Sequence, residues 1–173
     1  MITKSRTIAM AAALSFLTVF AAAAKAQTRA LDFSLRSIDG EPVTAESLRG
    51  EVAVLAFGAS WLPLSRNQME GVKKLADDYS GRGVAVYWVS TDSESPKSKN
   101  YASDDQLRAL ARKYKVTVLR DPDGAVSKKL GVDQIPSIVI MDKQGNVAGG
   151  PIGGLDPTTS LATQLSARLD KIL

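Results

Sequence analysis

The chain of 173 residues contains no cysteine and no histidine. The first absence excludes disulfides, a thiolate nucleophile and lipid attachment through a cysteine. The second removes the commonest general base and the commonest metal ligand. A strong charge of either sign is missing too. The formal net charge is +4, from 22 basic and 18 acidic residues, but Lys4, Arg6 and Lys25 lie in the first 26 residues with no acid among them. The remainder holds 19 bases against 18 acids. So even a balance gives no electrostatic footprint for nucleic acid or an anionic membrane.

Hydrophobic residues make up 45% of the chain, enough for a packed core. At the N-terminus, Lys4 and Arg6 precede an apolar run over 8–24, and Ala24-Lys25-Ala26 forms a small-x-small site before Gln27. This pattern predicts a secretory signal peptide over 1–26 and one domain over 27–173. A retained anchor is the other reading; the run is short and alanine-rich for a spanning helix. The expected location is periplasmic or secreted, with no stable membrane insertion after cleavage. A domain of about 147 residues can be stable on its core without disulfides.

Along the mature chain, Phe33-Ser34-Leu35 alternates and predicts a first strand, closed by Asp39-Gly40. Thr44 is placed to cap a short helix over 45–48 that Gly50 ends. The continuous apolar run 52–57 begins with Val52 and ends at Gly58, as a strand buried on both faces would. Pro63 fits the first turn of a helix to about Tyr79, with Met69, Val72, Leu75, Ala76 and Tyr79 on one face. A second apolar strand over 84–89 completes a βαβ unit with parallel strands.

Residues 92–105 form a long polar loop, the segment expected to be most mobile. Leu107, Leu110, Ala111 and Tyr114 then mark an amphipathic helix. A short strand over 116–119, an Asp121-Pro122-Asp123-Gly124 turn and a short helix over 125–130 follow. A strand over 138–141 turns through Lys143-Gln144-Gly145-Asn146 into Val147-Ala148, a hairpin. Asp156 and Pro157 read as the N-cap and first residue of a last helix, with Leu161, Leu165, Leu169 and Ile172 as its buried stripe.

That order of elements, together with several short motifs, resembles the thioredoxin-like fold of the TlpA-like branch of the redoxin and AhpC/TSA superfamily. The motifs are Phe33-Ser34-Leu35 with Asp39-Gly40, the strand leading to Ala59-Ser60-Trp61, Arg120-Asp121-Pro122-Asp123-Gly124 with Gly131-Val132, and Ile135-Pro136-Ser137 followed by a hairpin with Gly145. The resemblance implies an α/β domain with a central mixed β-sheet flanked by helices. A βαβ unit would be followed by a helical insertion, a β-hairpin and a C-terminal helix. It also implies a Trp-Cys-Pro-Pro-Cys motif where this chain has Trp61-Leu62-Pro63-Leu64-Ser65. Leu62 takes the place of the attacking cysteine and Ser65 that of the resolving one. Leu64 replaces a proline, Glu70 replaces another, and Ala56 stands where thioredoxins proper hold a buried aspartate. The peroxidase chemistry of the superfamily also starts from a cysteine thiolate and fails here for the same reason.

Individual residues carry two readings each. Ser65 is a serine at a helix start, or a nucleophile that would need a base other than histidine. Leu62 and Leu64 extend the core, or form an exposed apolar patch suited to binding. Trp61 is a core residue, or an anchor on the rim of a groove. Pro136 is a trans loop proline, or the cis proline the family places opposite its motif, beside which an extended peptide can pair. Asp121 and Asp123 are too few and too close to Pro122 for a calcium loop, and the glycine pairs 149–150 and 153–154 are not a phosphate motif. No cofactor and no metal site is assigned.

Three functions follow. The first is an exported binding or chaperone-like module without thiol chemistry. It would hold a protein or extended peptide of the cell envelope on Trp61, Leu62, Leu64, Ile135 and Pro136. The second is the thiol–disulfide oxidoreductase or antioxidant protein that the resemblance alone implies, against which the missing sulfur counts. The third is a structural subunit of an envelope complex. No nucleic-acid partner is expected.

Overall fold

The structure, a computed structural model, describes residues 31–173. The expected signal peptide lies outside the described residues. Among those described, no helix is long and apolar enough to cross a membrane.

The described residues open with a hairpin of β1 (Ser34–Ser37) and β2 (Pro42–Thr44) around Gly40, whose φ of +101° only glycine adopts readily. Next come β3 (Val52–Gly58), α1 (Pro63–Asp78), β4 (Val84–Ser90), α2 (Asp104–Tyr114) and β5 (Val118–Arg120). The chain ends with α3 (Ala125–Lys129), β6 (Ser137–Met141), β7 (Ile152–Gly153) and α4 (Leu161–Leu169). One seven-stranded sheet has the order β2-β1-β5-β4-β3-β6-β7. The three central strands β5, β4 and β3 run parallel, and the outer pairings are antiparallel. This is the mixed, helix-flanked sheet that the resemblance implies.

The uninterrupted apolar run of β3 is explained by its position, since every one of its residues is buried. Val52, Val54 and Ala56 face one core, shared with Met69, Val72 and Leu75 of α1, Leu107 of α2 and Leu165 of α4. Ala53, Leu55 and Phe57 face the other, shared with Leu35, Leu48 and Val126. Strand side chains alternate between faces, so a strand covered on both sides must be apolar throughout.

Three local expectations need correction, and one short strand is unanticipated. Residues 45–48 make a single turn, not a helix: Leu48 N–H bonds Thr44 C=O, but Gly50 N–H turns away to Lys143 C=O. β2 is a three-residue edge strand begun by a proline, with too little periodicity to read. The return leg of the β6 hairpin touches at a Met141–Val147 bridge, and its strand is β7, which pairs Ile152 with Ile138. Gly149, at φ +84°, separates the two. The cap of α4 is Ser160, whose Oγ accepts from Thr163 N–H at 3.1 Å. Asp156 instead closes its own turn, accepting from Thr158 N–H at 2.8 Å and from the Thr158 and Thr159 hydroxyls.

The polar loop after β4 is closed at its base. Ser93 pairs with Tyr101, and Arg120 Nη2 donates to the carbonyls of both Asp92 and Ala102.

Candidate functional site

The end of β3 delivers Gly58-Ala59-Ser60 to the start of α1, so the degenerate motif forms a loop tip and a first helical turn. Leu62 is the N-cap residue and is half-buried; its side chain has no atom that can cap. Pro63 occupies the first turn, where its missing N–H costs no helical bond. Ser65 is fully buried, and its Oγ accepts from Ala59 N–H at 3.1 Å. A Cβ on Gly58 would lie 2.8 Å from that oxygen, so the glycine makes room for it. This places Ser65 as a structural tie, closed off from any substrate.

Trp61 and Leu64 are each 55% exposed, which is unusual for large apolar side chains so close together. Leu64 also borders a groove of about 710 Å³ that Ile135 and Pro136 line from the far side. The Ile135–Pro136 peptide bond is cis. The groove runs on between α1 and the 154–160 segment, floored by Leu155 and Leu161 and rimmed by Asn67, Lys74 and Thr158. Leu64, Ile135 and Pro136 thus share one concave surface, whereas Trp61 and Leu62 do not contribute to its lining. At the α4 end the groove walls touch: a Cβ on Gly71 would fall 2.7 Å from Leu161 Cγ.

Two buried polar links frame this surface, and neither is apparent from sequence spacing. Gln68 Nε2 donates to Ser137 C=O at 3.2 Å, next to Pro136, while its Oε1 accepts from Trp88 Nε1 at 3.2 Å. On the other side, the Asp92 carboxylate accepts from Ser60 N–H and Oγ, both at 2.9 Å, and from Ser90 Oγ at 2.7 Å. The Ser60 hydroxyl is committed to this carboxylate, which Ser90 also occupies, so the three side chains form one structural tie. The sequence offered a partial signal for both: a glutamine on the apolar face of α1, and an aspartate just past an apolar strand.

Farther out, buried Arg120 donates to Asp104 Oδ1 at 2.6 Å, and Arg36 reaches both Asp104 and Glu94. The hydrogen bond from Arg36 is the chief reason that the Asp104 carboxyl titrates low, at about 2, with Arg120 adding to it. Asp121 accepts from the N–H groups of Val126 and Ser127 at the start of α3, the role of a turn residue. Among the described residues, no cluster of three potential metal-ligating side chains occurs.

The chain matches the AhpC/TSA family model over residues 26–149. It is 28% identical over 127 residues to the thioredoxin-like protein YneN of Bacillus subtilis, covering 72% of this chain and 70% of the relative. It is 24% identical over 116 residues to the thiol-disulfide oxidoreductase ResA of Bacillus thuringiensis, covering 67% of this chain and 63% of that relative, just under two thirds of its length. Among solved structures, a putative thiol:disulfide interchange protein DsbE from Chlorobium tepidum superposes with a TM-score of 0.65 at 26% identity. The match covers 81% of this chain and 94% of that one. Sheet order, motif position and family match agree: the chain belongs to the AhpC/TSA family, carries its thioredoxin-like fold, and has Leu62 and Ser65 where the family's cysteines belong.

Proposed function

We propose that this is an exported, non-catalytic binding module that holds a protein or extended peptide of the cell envelope on the former thiol face. The observation that carries the reading is the pairing of two exposed apolar side chains, Trp61 and Leu64, with an open groove where the motif has lost its sulfur. Leu64, Ile135 and Pro136 form the groove side of the contact, and Trp61 with half-buried Leu62 forms its apolar shoulder. Backbone beside Pro136 would give an extended peptide its register. Export rests on the charged, apolar and small-x-small order of residues 1–26.

The names of the relatives favour thiol–disulfide exchange as a second reading. That reaction needs a thiolate to attack and a thiol to resolve, and this chain supplies neither. The purified protein is therefore expected to leave insulin disulfides and peroxide untouched.

The test of the binding reading is capture from envelope extract, identification of the captured protein, and titration of the purified pair. A buried aromatic anchor is typically worth on the order of 2 kcal/mol, so Trp61→Ala should weaken the complex roughly thirtyfold. Lys171→Ala, an exposed change beyond α4, should leave it unaltered. Equal binding by both variants would remove this face as the interface and favour the structural-subunit reading.

A further inference from the structure

We infer that Asp92 is a positioning residue, one that fixes the presentation of Trp61 from beneath. The inference deepens the binding reading and rests on it only for its consequence, not for its geometry.

Asp92 lies just past β4 and is fully buried. A buried carboxylate needs several donors, and two of its three come from one residue, Ser60: the backbone N–H to Oδ2 and the hydroxyl to Oδ1, both at 2.9 Å. The third donor, Ser90 Oγ, ties the same carboxylate to the strand. Ser60 C=O is taken as well, by Arg66 Nε at 3.2 Å. One residue earlier, Ala59 N–H is held by Ser65 Oγ. Every polar group of Ser60 is thereby bonded, and the very next residue is the exposed Trp61.

The anchor is itself anchored. Asp92 C=O accepts from Arg120 Nη2 at 3.1 Å, and Arg120 Nη1 sits 2.6 Å from Asp104. A rigid line therefore runs from the α2 N-terminus, through a buried arginine and a buried aspartate, to the residue preceding the indole. An exposed tryptophan left on a loose loop would lose rotamer and backbone freedom on binding; one held in place beforehand loses less. Leu62 cannot cap the helix, so the loop takes its rigidity from Asp92 instead.

The chain has two tryptophans, so 5-fluorotryptophan labelling gives two ¹⁹F resonances: exposed Trp61 and fully buried Trp88. The experiment compares the mature protein with Asp92→Asn, which keeps one acceptor, and with Ser60→Ala, which removes only the hydroxyl and guards against a misfolded Asp92 variant. The expected result is that the Trp61 line shifts and broadens in both variants, more in Asp92→Asn, while the Trp88 line stays in place. A Trp61 line unchanged in the folded variants overturns the inference. So does a Trp88 line that moves as much as Trp61, because that marks general loosening. For an identified partner, Asp92→Asn should weaken binding about fivefold or more, a fraction of the Trp61→Ala effect. A displaced Trp61 line with unchanged affinity upholds Asp92 as the positioning residue and rejects Trp61 as the anchor.

Discussion

The indole N–H of Trp88 on β4 lies 3.2 Å from Oε1 of Gln68 on α1, both buried, and the same glutamine donates to the carbonyl of Ser137. One side chain thus joins helix, central strand and the strand that follows Pro136. Gln68→Leu would leave the buried Trp88 N–H without its partner and take a donor from the Ser137 carbonyl, at about 1–3 kcal/mol for an unsatisfied buried group. Urea unfolding should show a loss of about 2 kcal/mol or more, with a changed Trp88 emission. A loss no greater than about 0.5 kcal/mol, the usual range for surface changes, would mean that this link is energetically idle.

Restoring the cysteines tests whether the motif geometry survives. Positions 62 and 65 are three apart at the start of α1, which puts their Cα atoms about 5 Å apart, within disulfide range. The Leu62→Cys, Ser65→Cys variant should oxidise readily, and the half-buried position 62 thiol should titrate below an ordinary cysteine because it sits at a helix N-terminus. Insulin reduction should then appear. Free thiols persisting under mild oxidation would contradict this.

Acid stability should depend on Asp104. Its folded carboxyl titrates at about 2, first because of Arg36, against about 3.9 in an unfolded chain. The unfolded state therefore binds more protons between those values, so this contribution is complete above about pH 4 and fades as pH falls toward 2. Urea midpoints of the parent should drop through that window, and Asp104→Asn should show a shallower fall. Parallel curves for the two would rule the ion pair out as a source of acid sensitivity.

Much of the architecture was legible because it depends on local patterning. The runs of β3, β4 and β6 are apolar throughout or nearly so, and α1 and α2 show clear helical faces. What escaped was set by distant partners or very short elements. β2 and β7 have three and two residues and exist only through pairing. Asp156-Pro157 looks like a helix start, yet Thr158 and Thr159 satisfy the carboxylate first. In the candidate site, the motif and Pro136 could be named from sequence, whereas Gln68 and Asp92 could not. Apart from Ser90, two residues before Asp92 in the chain, their side-chain-held partners Trp88, Ser60 and Ser137 lie 20 to 69 residues away, and no spacing rule connects them.

Export is checked at the N-terminus. Protein recovered from the envelope fraction should have an intact mass beginning at Gln27, as the Ala24-Lys25-Ala26 site predicts. A chain still carrying Met1 and sedimenting with membranes would identify the segment as an anchor.

The contact between Gly71 and Leu161 gives the groove an asymmetric jaw. On that side α1 and α4 already meet with no atom to spare, so the helices cannot close further, and any side chain at position 71 would wedge them apart. The wall at 154–160 touches the core through half-buried Leu155 and is otherwise held by exposed polar contacts: Gln164 grips Asp156 and Thr159, and Asp156 folds back on its own threonines. Such bonds open at little cost compared with packed apolar contacts. Under the proposed binding role, fitting occupants of different bulk would therefore fall to these seven loop residues and not to the helices.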